Sequence, residues 1–98
     1  MSLPVIIIGG GGHAKVLIDT LRLRSVRIIG IVEADPTKLG TEVLGVRVIG
    51  DDNTISEHAP ESVLLVNGIG SVNLPKAREA VFEKFKENGF TFETIVHP

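Results

Sequence analysis

The sequence predicts an α/β domain of three layers, a Rossmann-like fold with a mainly parallel sheet of strand order about 3-2-1-4-5. Three observations predict it. The apolar run Val5-Ile6-Ile7-Ile8 passes straight into Gly9-Gly10-Gly11-Gly12 and then into a helical pattern, which is how α/β domains join a buried strand to a helix. Strand-like and helix-like runs alternate along most of the remaining chain. The strand runs are apolar at successive positions rather than at every second one, as expected for strands covered on both faces.

The elements are taken in chain order. After the glycines, Ala14, Val16, Leu17, Ile18, Leu21 and Leu23 face Lys15, Asp19, Arg22 and Arg24 across a helix that ends near Arg24. Val26 to Val32 is a second buried strand, closed by Glu33-Ala34-Asp35-Pro36. Thr37 to Gly40 is turn-like, and Val43 to Gly50 reads as one short alternating strand. Asp51-Asp52-Asn53 caps a short helix through about His58. Ser62 to Gly68 is a third strongly apolar strand, ending in Gly68-Ile69-Gly70-Ser71. A long amphipathic helix spans about Leu74 to Asn88, with Pro75 in its first turn and Gly89 as its stop. Phe90 to Val96 is the last strand. Right-handed crossovers order these strands so that the chain reverses direction across the sheet beside the first strand. Ligands of such sheets bind there, outside the carboxyl ends of the strands. Gly9 to His13 and Gly68 to Ser71 are those ends.

Composition narrows the function. A chain of 98 residues with 43% hydrophobic content holds one domain and one modest core. Its net charge of -2, with acids and bases interleaved, lacks the basic stripe of a nucleic-acid binder. The absence of cysteine removes disulfides, thiolate catalysis and thiolate zinc sites, and fits a cytoplasmic setting. The longest apolar run is far too short to span a membrane, so no membrane partner is expected.

The glycine run supplies backbone that a ligand can approach closely, and the helix after it supplies unpaired N–H groups for an anion. Gly10, Gly11 and Gly12 are therefore candidate phosphate contacts. The same letters read as G-x-G-x-x-A (Gly9, Gly11, Ala14), a variant of the dinucleotide fingerprint, and as G-x-G-x-x-K (Gly10, Gly12, Lys15). Nucleotide hydrolysis is set aside, because Ala14-Lys15-Val16 has no hydroxyl for magnesium where a P-loop requires one. His13 at the helix start could donate a ring N–H to a phosphate, and Lys15 could neutralise one, although a lysine there is as readily solvated. Glu33 and Asp35 stand roughly 20 residues past the glycines, where an acid commonly holds a ribose hydroxyl. They could equally accept a base N–H or line a solvated turn. Gly68 and Gly70 lie at the facing strand end. His58 and His97 have no carboxylate partners at ligand spacing, so no metal site is expected. No nucleophile, base and acid combine into a catalytic arrangement, and no catalytic residue is assigned.

Taken together, Gly9 to Val16, the acidic turn Glu33-Ala34-Asp35-Pro36, Gly68-Ile69-Gly70 and the terminal Phe92-Glu93-Thr94-Ile95-Val96-His97-Pro98 resemble the N-terminal, acceptor-binding domain of the sialic acid O-acetyltransferase and UDP-amino-sugar N-acetyltransferase family. The resemblance covers essentially the whole chain. It implies a small Rossmann-like domain, residues 1–98, holding a UDP-sugar or related nucleotide-sugar against Gly11, Gly12, His13, the Glu33/Asp35 turn and Gly70. It also implies a following left-handed β-helix of hexapeptide repeats that carries acetyl-CoA, the catalytic histidine and homotrimer contacts, and that is absent from this chain. The domain itself is expected to bind no cofactor and to be inactive alone. The acidic turn departs from the family, which often has adjacent aspartates where this chain has Glu33-Ala34-Asp35. The alternative is an NAD(P)-binding domain of a dehydrogenase or redox sensor, motivated by G-x-G-x-x-A and the position of Glu33.

Overall fold

The computed structural model describes residues 3–9, 12–33, 36–67 and 83–93. Strand β1 (Val5–Ile8) leads into helix α1 (Gly12–Leu23), followed by β2 (Ile28–Val32), β3 (Glu42–Val43), β4 (Val46–Gly50), a one-turn helix α2 (Asp52–Ile55), β5 (Leu64–Asn67), helix α3 over 83–87, and β6 (Thr91–Glu93). The six strands form one sheet of order β3-β4-β2-β1-β5-β6. All neighbours run parallel except β3, which pairs antiparallel with β4. With β3 set aside, the remaining five strands have the predicted 3-2-1-4-5 order.

Each strand of the sheet centre feeds both core layers. In β1, Val5 and Ile7 pack with Leu17, Ile18 and Leu21 of α1, while Ile6 and Ile8 pack with Ile55, Phe85 and Phe90 on the opposite side. The alternation comes from the two-residue period of the pleat. All four β1 residues are buried, which explains a run with no polar position. The chain leaves β1 toward β2 over one face and continues from β5 toward β6 over the other. Right-handed crossovers in opposite directions along a sheet require this arrangement.

The expected single strand over Val43 to Gly50 is instead a hairpin. Leu44 (φ 51) and Gly45 (φ 85) take left-handed conformations between β3 and β4, the pattern of a two-residue primed turn. The guanidinium of Arg22 donates from Nη2 to the Leu44 carbonyl at 2.5 Å, which ties the turn to α1. Periodicity missed it because Leu44 is an unusual residue for positive φ.

Other boundaries are trimmed at their ends. The second strand begins at Ile28 rather than Val26, and α2 ends at Ile55 rather than near His58. Asp51 caps α2 as expected, its side chain accepting from the Asn53 N–H. The expected helix over Leu74 to Asn88 is described only over 83–87, and the last strand only to Glu93; the remainder of both lies outside the described residues.

Candidate functional site

The carboxyl ends of β1, β2, β4 and β5 share one rim of the sheet, because these strands are parallel. Ile8 is in register with Val32 on one side and with Asn67 on the other. The strand order reverses about β1, so the crevice expected at such a reversal opens between the ends of β1 and β5.

The turn after β1 is fixed at its first residue. Gly9 is buried with φ +92, and its N–H donates to the Val32 carbonyl at 2.8 Å. A positive φ in a buried turn suits glycine, which has no Cβ to clash with the carbonyl. The chain has thereby turned from the strand before α1 starts at Gly12. Helix α1 opens at the same rim, where its first N–H groups have no partner within the helix.

His13 is the second residue of α1 and Lys15 the fourth, so both belong to its first turn. Lys15 is exposed. Glu33 directly follows β2, is half-buried, and is held by its N–H to the Gly50 carbonyl at 2.8 Å. The structure therefore brings Gly12, His13, Lys15 and Glu33 to one rim around Gly9. Gly10, Gly11, Asp35, Gly68 and Gly70 lie outside the described residues, although Asn67 carries β5 to the same rim.

Sequence reasoning missed Gly50. It accepts the Glu33 N–H, and a Cβ added to it would collide with the Thr54 Oγ1. Its signal was available: a glycine immediately before the Asp51 cap leaves room for the first turn of α2 to fold back on the strand end.

A cleft of about 550 Å³ lies elsewhere, lined by Arg22, Val26, Ile28, Glu42, Arg47 and neighbouring residues. It sits at the amino ends of β2 and β4, opposite the glycine turn, and contributes nothing to the rim. Among the described residues, no group of three or more His, Asp or Glu side chains is placed to hold a metal ion. No described helix is long and apolar enough to cross a membrane.

Residues 4–85 match the model of the PglD N-terminal domain. Among solved structures, the chain is similar to a point mutant of perosamine N-acetyltransferase from Caulobacter crescentus in complex with CoA and GDP-perosamine. The two share 38% identity with a TM-score of 0.74, over 100% of this chain and 46% of that one. It is also similar to the acetyltransferase domain of PglB from Neisseria gonorrhoeae, at 26% identity and a TM-score of 0.73, over 99% of this chain and 45% of that one. The chain thus spans about half the length of these acetyltransferases. A UDP-D-quinovosamine 4-dehydrogenase from Vibrio fischeri matches at 21% identity with a TM-score of 0.71, over 99% of this chain and 80% of that one, a likeness of fold alone. No curated protein matches the chain in sequence.

Proposed function

Because the chain belongs to the PglD N-terminal domain family, found at the front of nucleotide-sugar acetyltransferases, we infer that it holds the nucleotide-sugar acceptor of a bacterial sugar O- or N-acetyltransferase serving cell-surface glycan or sialic acid synthesis. The observation that carries this reading is the strand–glycine–helix turn at the point of strand reversal, with Gly9 at φ +92 and α1 opening at Gly12. A diphosphate fits there because unpaired N–H groups and the positive helix end both favour an anion.

In this reading Gly12 lets the diphosphate approach the backbone, and His13 and Lys15 in the first turn of α1 add a donor and a charge. Glu33, which follows β2, is assigned to the nucleoside. The sequence assigns Gly10, Gly11, Asp35, Gly68 and Gly70 to the same ligand. The perosamine relative binds GDP-perosamine, which widens the expected acceptor from UDP-sugars to nucleoside-diphosphate sugars in general.

Acetyl-CoA binding, the acetyl-transfer step and homotrimer contacts are assigned to the β-helix domain of the parent acetyltransferase, in the cytoplasm.

The test is calorimetric titration of the chain with a GDP-sugar, a UDP-amino sugar, CMP-sialic acid and NADH, repeated on Gly12→Val. Saturable nucleotide-sugar binding is expected, weakened about tenfold or more by a side chain placed against the diphosphate. Binding of NADH alone would replace this reading with the dinucleotide one. Acetyl transfer by the isolated chain above background would overturn its assignment as an acceptor domain without transfer machinery.

A further inference from the structure

The corner of the sheet where β2 and β4 begin, opposite the glycine turn, gathers positive charge on a chain whose net charge is -2. Arg22 belongs to the last turn of α1, Arg24 follows that helix, Arg27 precedes β2, and Arg47 is the second residue of β4. All four are exposed. Arg22 and Arg24 suit the carbonyl end of α1, but Arg47 serves no helix end. The cleft of about 550 Å³ at this corner has Val26, Ile28 and Ile49 in its lining together with Arg22, Glu42 and Arg47. Glu42 stands opposite Arg47 in the β3–β4 ladder, so the acid answers one arginine and the corner keeps a positive excess. Large apolar side chains are exposed beside these charges. Leu23 is 85% exposed at the end of α1 and Leu44 is 44% exposed at the hairpin turn. Leu44 holds φ 51, a conformation that is costly for a leucine and that leaves much of its side chain in water. Arg22 joins the two, preceding Leu23 in the chain and donating to the Leu44 carbonyl.

We propose that this corner docks an acidic segment of a partner protein, one that carries leucine-like side chains between carboxylates. Exposed apolar side chains grouped at one place mark interaction surfaces, and arginine is the charged residue that interfaces favour. A guanidinium meets a carboxylate through two parallel N–H···O bonds, which fixes the segment's direction as well as its charge. The apolar side chain of the segment enters the cleft against Val26, Ile28 and Ile49, with Leu23 and Leu44 covering its outer side. Charge decides between occupants. A second copy of this chain docked by the same corner about a two-fold axis would set arginine against arginine, so the occupant is not a symmetric partner. A nucleic acid would satisfy the arginines and gain nothing from two exposed leucines, because bases stack on aromatic rings, and Phe85 and Phe90 are buried in the core.

The test is fluorescence anisotropy with short labelled peptides: one alternating glutamate and leucine, a second with lysine in place of glutamate, and a third with serine in place of leucine. The unsubstituted chain is expected to bind the first about tenfold or more tightly than either of the others. Arg47→Gln, which removes a charge without setting two acids opposite each other, should weaken the first peptide about fivefold, and Leu23→Ser should do so by a similar factor. Raising the salt concentration should weaken it further, since the corner is exposed. Equal binding of the glutamate–leucine and glutamate–serine peptides would overturn the role of the leucines, and equal binding of the lysine peptide would overturn that of the arginines. Tighter binding of an oligouridylate would reassign the corner to nucleic acid. Self-association in sedimentation that Leu23→Ser abolishes would reassign it to a second copy. Saturable binding of none of the peptides would remove the proposal. The comparison of peptides on the unsubstituted chain needs no variant, so a folding defect in Arg47→Gln would not protect it.

Discussion

Gly30 illustrates how a single residue is decided by its neighbour. It is buried in β2, and a Cβ built on it would lie 2.7 Å from Ile49 Cγ2 and 3.1 Å from the Arg47 carbonyl oxygen. The first contact could be relieved by moving a side chain; the second is with backbone of the neighbouring strand, which the ladder holds. Gly30→Ala is therefore expected to destabilise the fold by about 1–3 kcal/mol, as overpacking of a filled core does. Urea denaturation would measure it. Adding Ile49→Ala to the same chain removes the closest clashing methyl, so the two substitutions should cost less together than the sum of their separate effects.

At the scale of the element, two helices end with the same hydrogen bonds and different residues. After α3, the Gly89 N–H donates to Lys86 and the Phe90 N–H to Phe85. Phe85 and Phe90 meet edge to face at 5.6 Å, supplying the apolar contact that accompanies this kind of stop. After α1, the Ser25 N–H donates to Arg22 and the Val26 N–H to Leu21. There the left-handed position is filled by Ser25, at φ 57, whereas Gly89 takes φ 94 without a Cβ. That conformation is strained for serine and free of strain for glycine. Ser25→Gly is expected to stabilise the protein by about 0.5–1 kcal/mol, after the greater freedom of glycine in the unfolded chain is subtracted. A rise in the thermal midpoint would show it, and a fall would mean that Ser25 makes a contact worth more than the backbone strain.

At the scale of the molecule, the sheet is braced from both faces, and the proposed ligand site is at its carboxyl rim. Binding at that rim engages the ends of β1 and β2 and the start of α1, which unfold together with the core, so it should stabilise the whole domain. A nucleotide at about a hundred times its dissociation constant adds roughly 2.7 kcal/mol. For a domain of this size that raises the midpoint by about 10 °C or more. Thermal unfolding with a nucleoside-diphosphate sugar should show the rise and Gly12→Val should abolish most of it. A shift of equal size in the variant would place the ligand elsewhere, with the cleft at the amino ends of β2 and β4 the first place to look.

Much of the fold was legible in the chain, and for a physical reason. A strand buried on both faces has no polar position to spare, so Val5 to Ile8 and Leu64 to Val66 announce themselves without any knowledge of their neighbours. The glycine turn, the Asp51 cap and the Gly89 stop are likewise local demands of the backbone, met by local residues. Strand order was readable because crossover handedness leaves few alternatives. The Leu44-Gly45 turn was not legible, since positive φ at a leucine is a local cost offset by pairing of β3 with β4 and by Arg22, which is distant in sequence. Nor was the use of Gly50, whose carbonyl fixes Glu33 from the neighbouring strand. The sequence by itself determined which segments are strands and helices and that a glycine turn opens α1. Only the tertiary structure decided that Gly9, Glu33 and the helix start share one rim, because that proximity depends on strand register and on contacts between residues far apart in the chain.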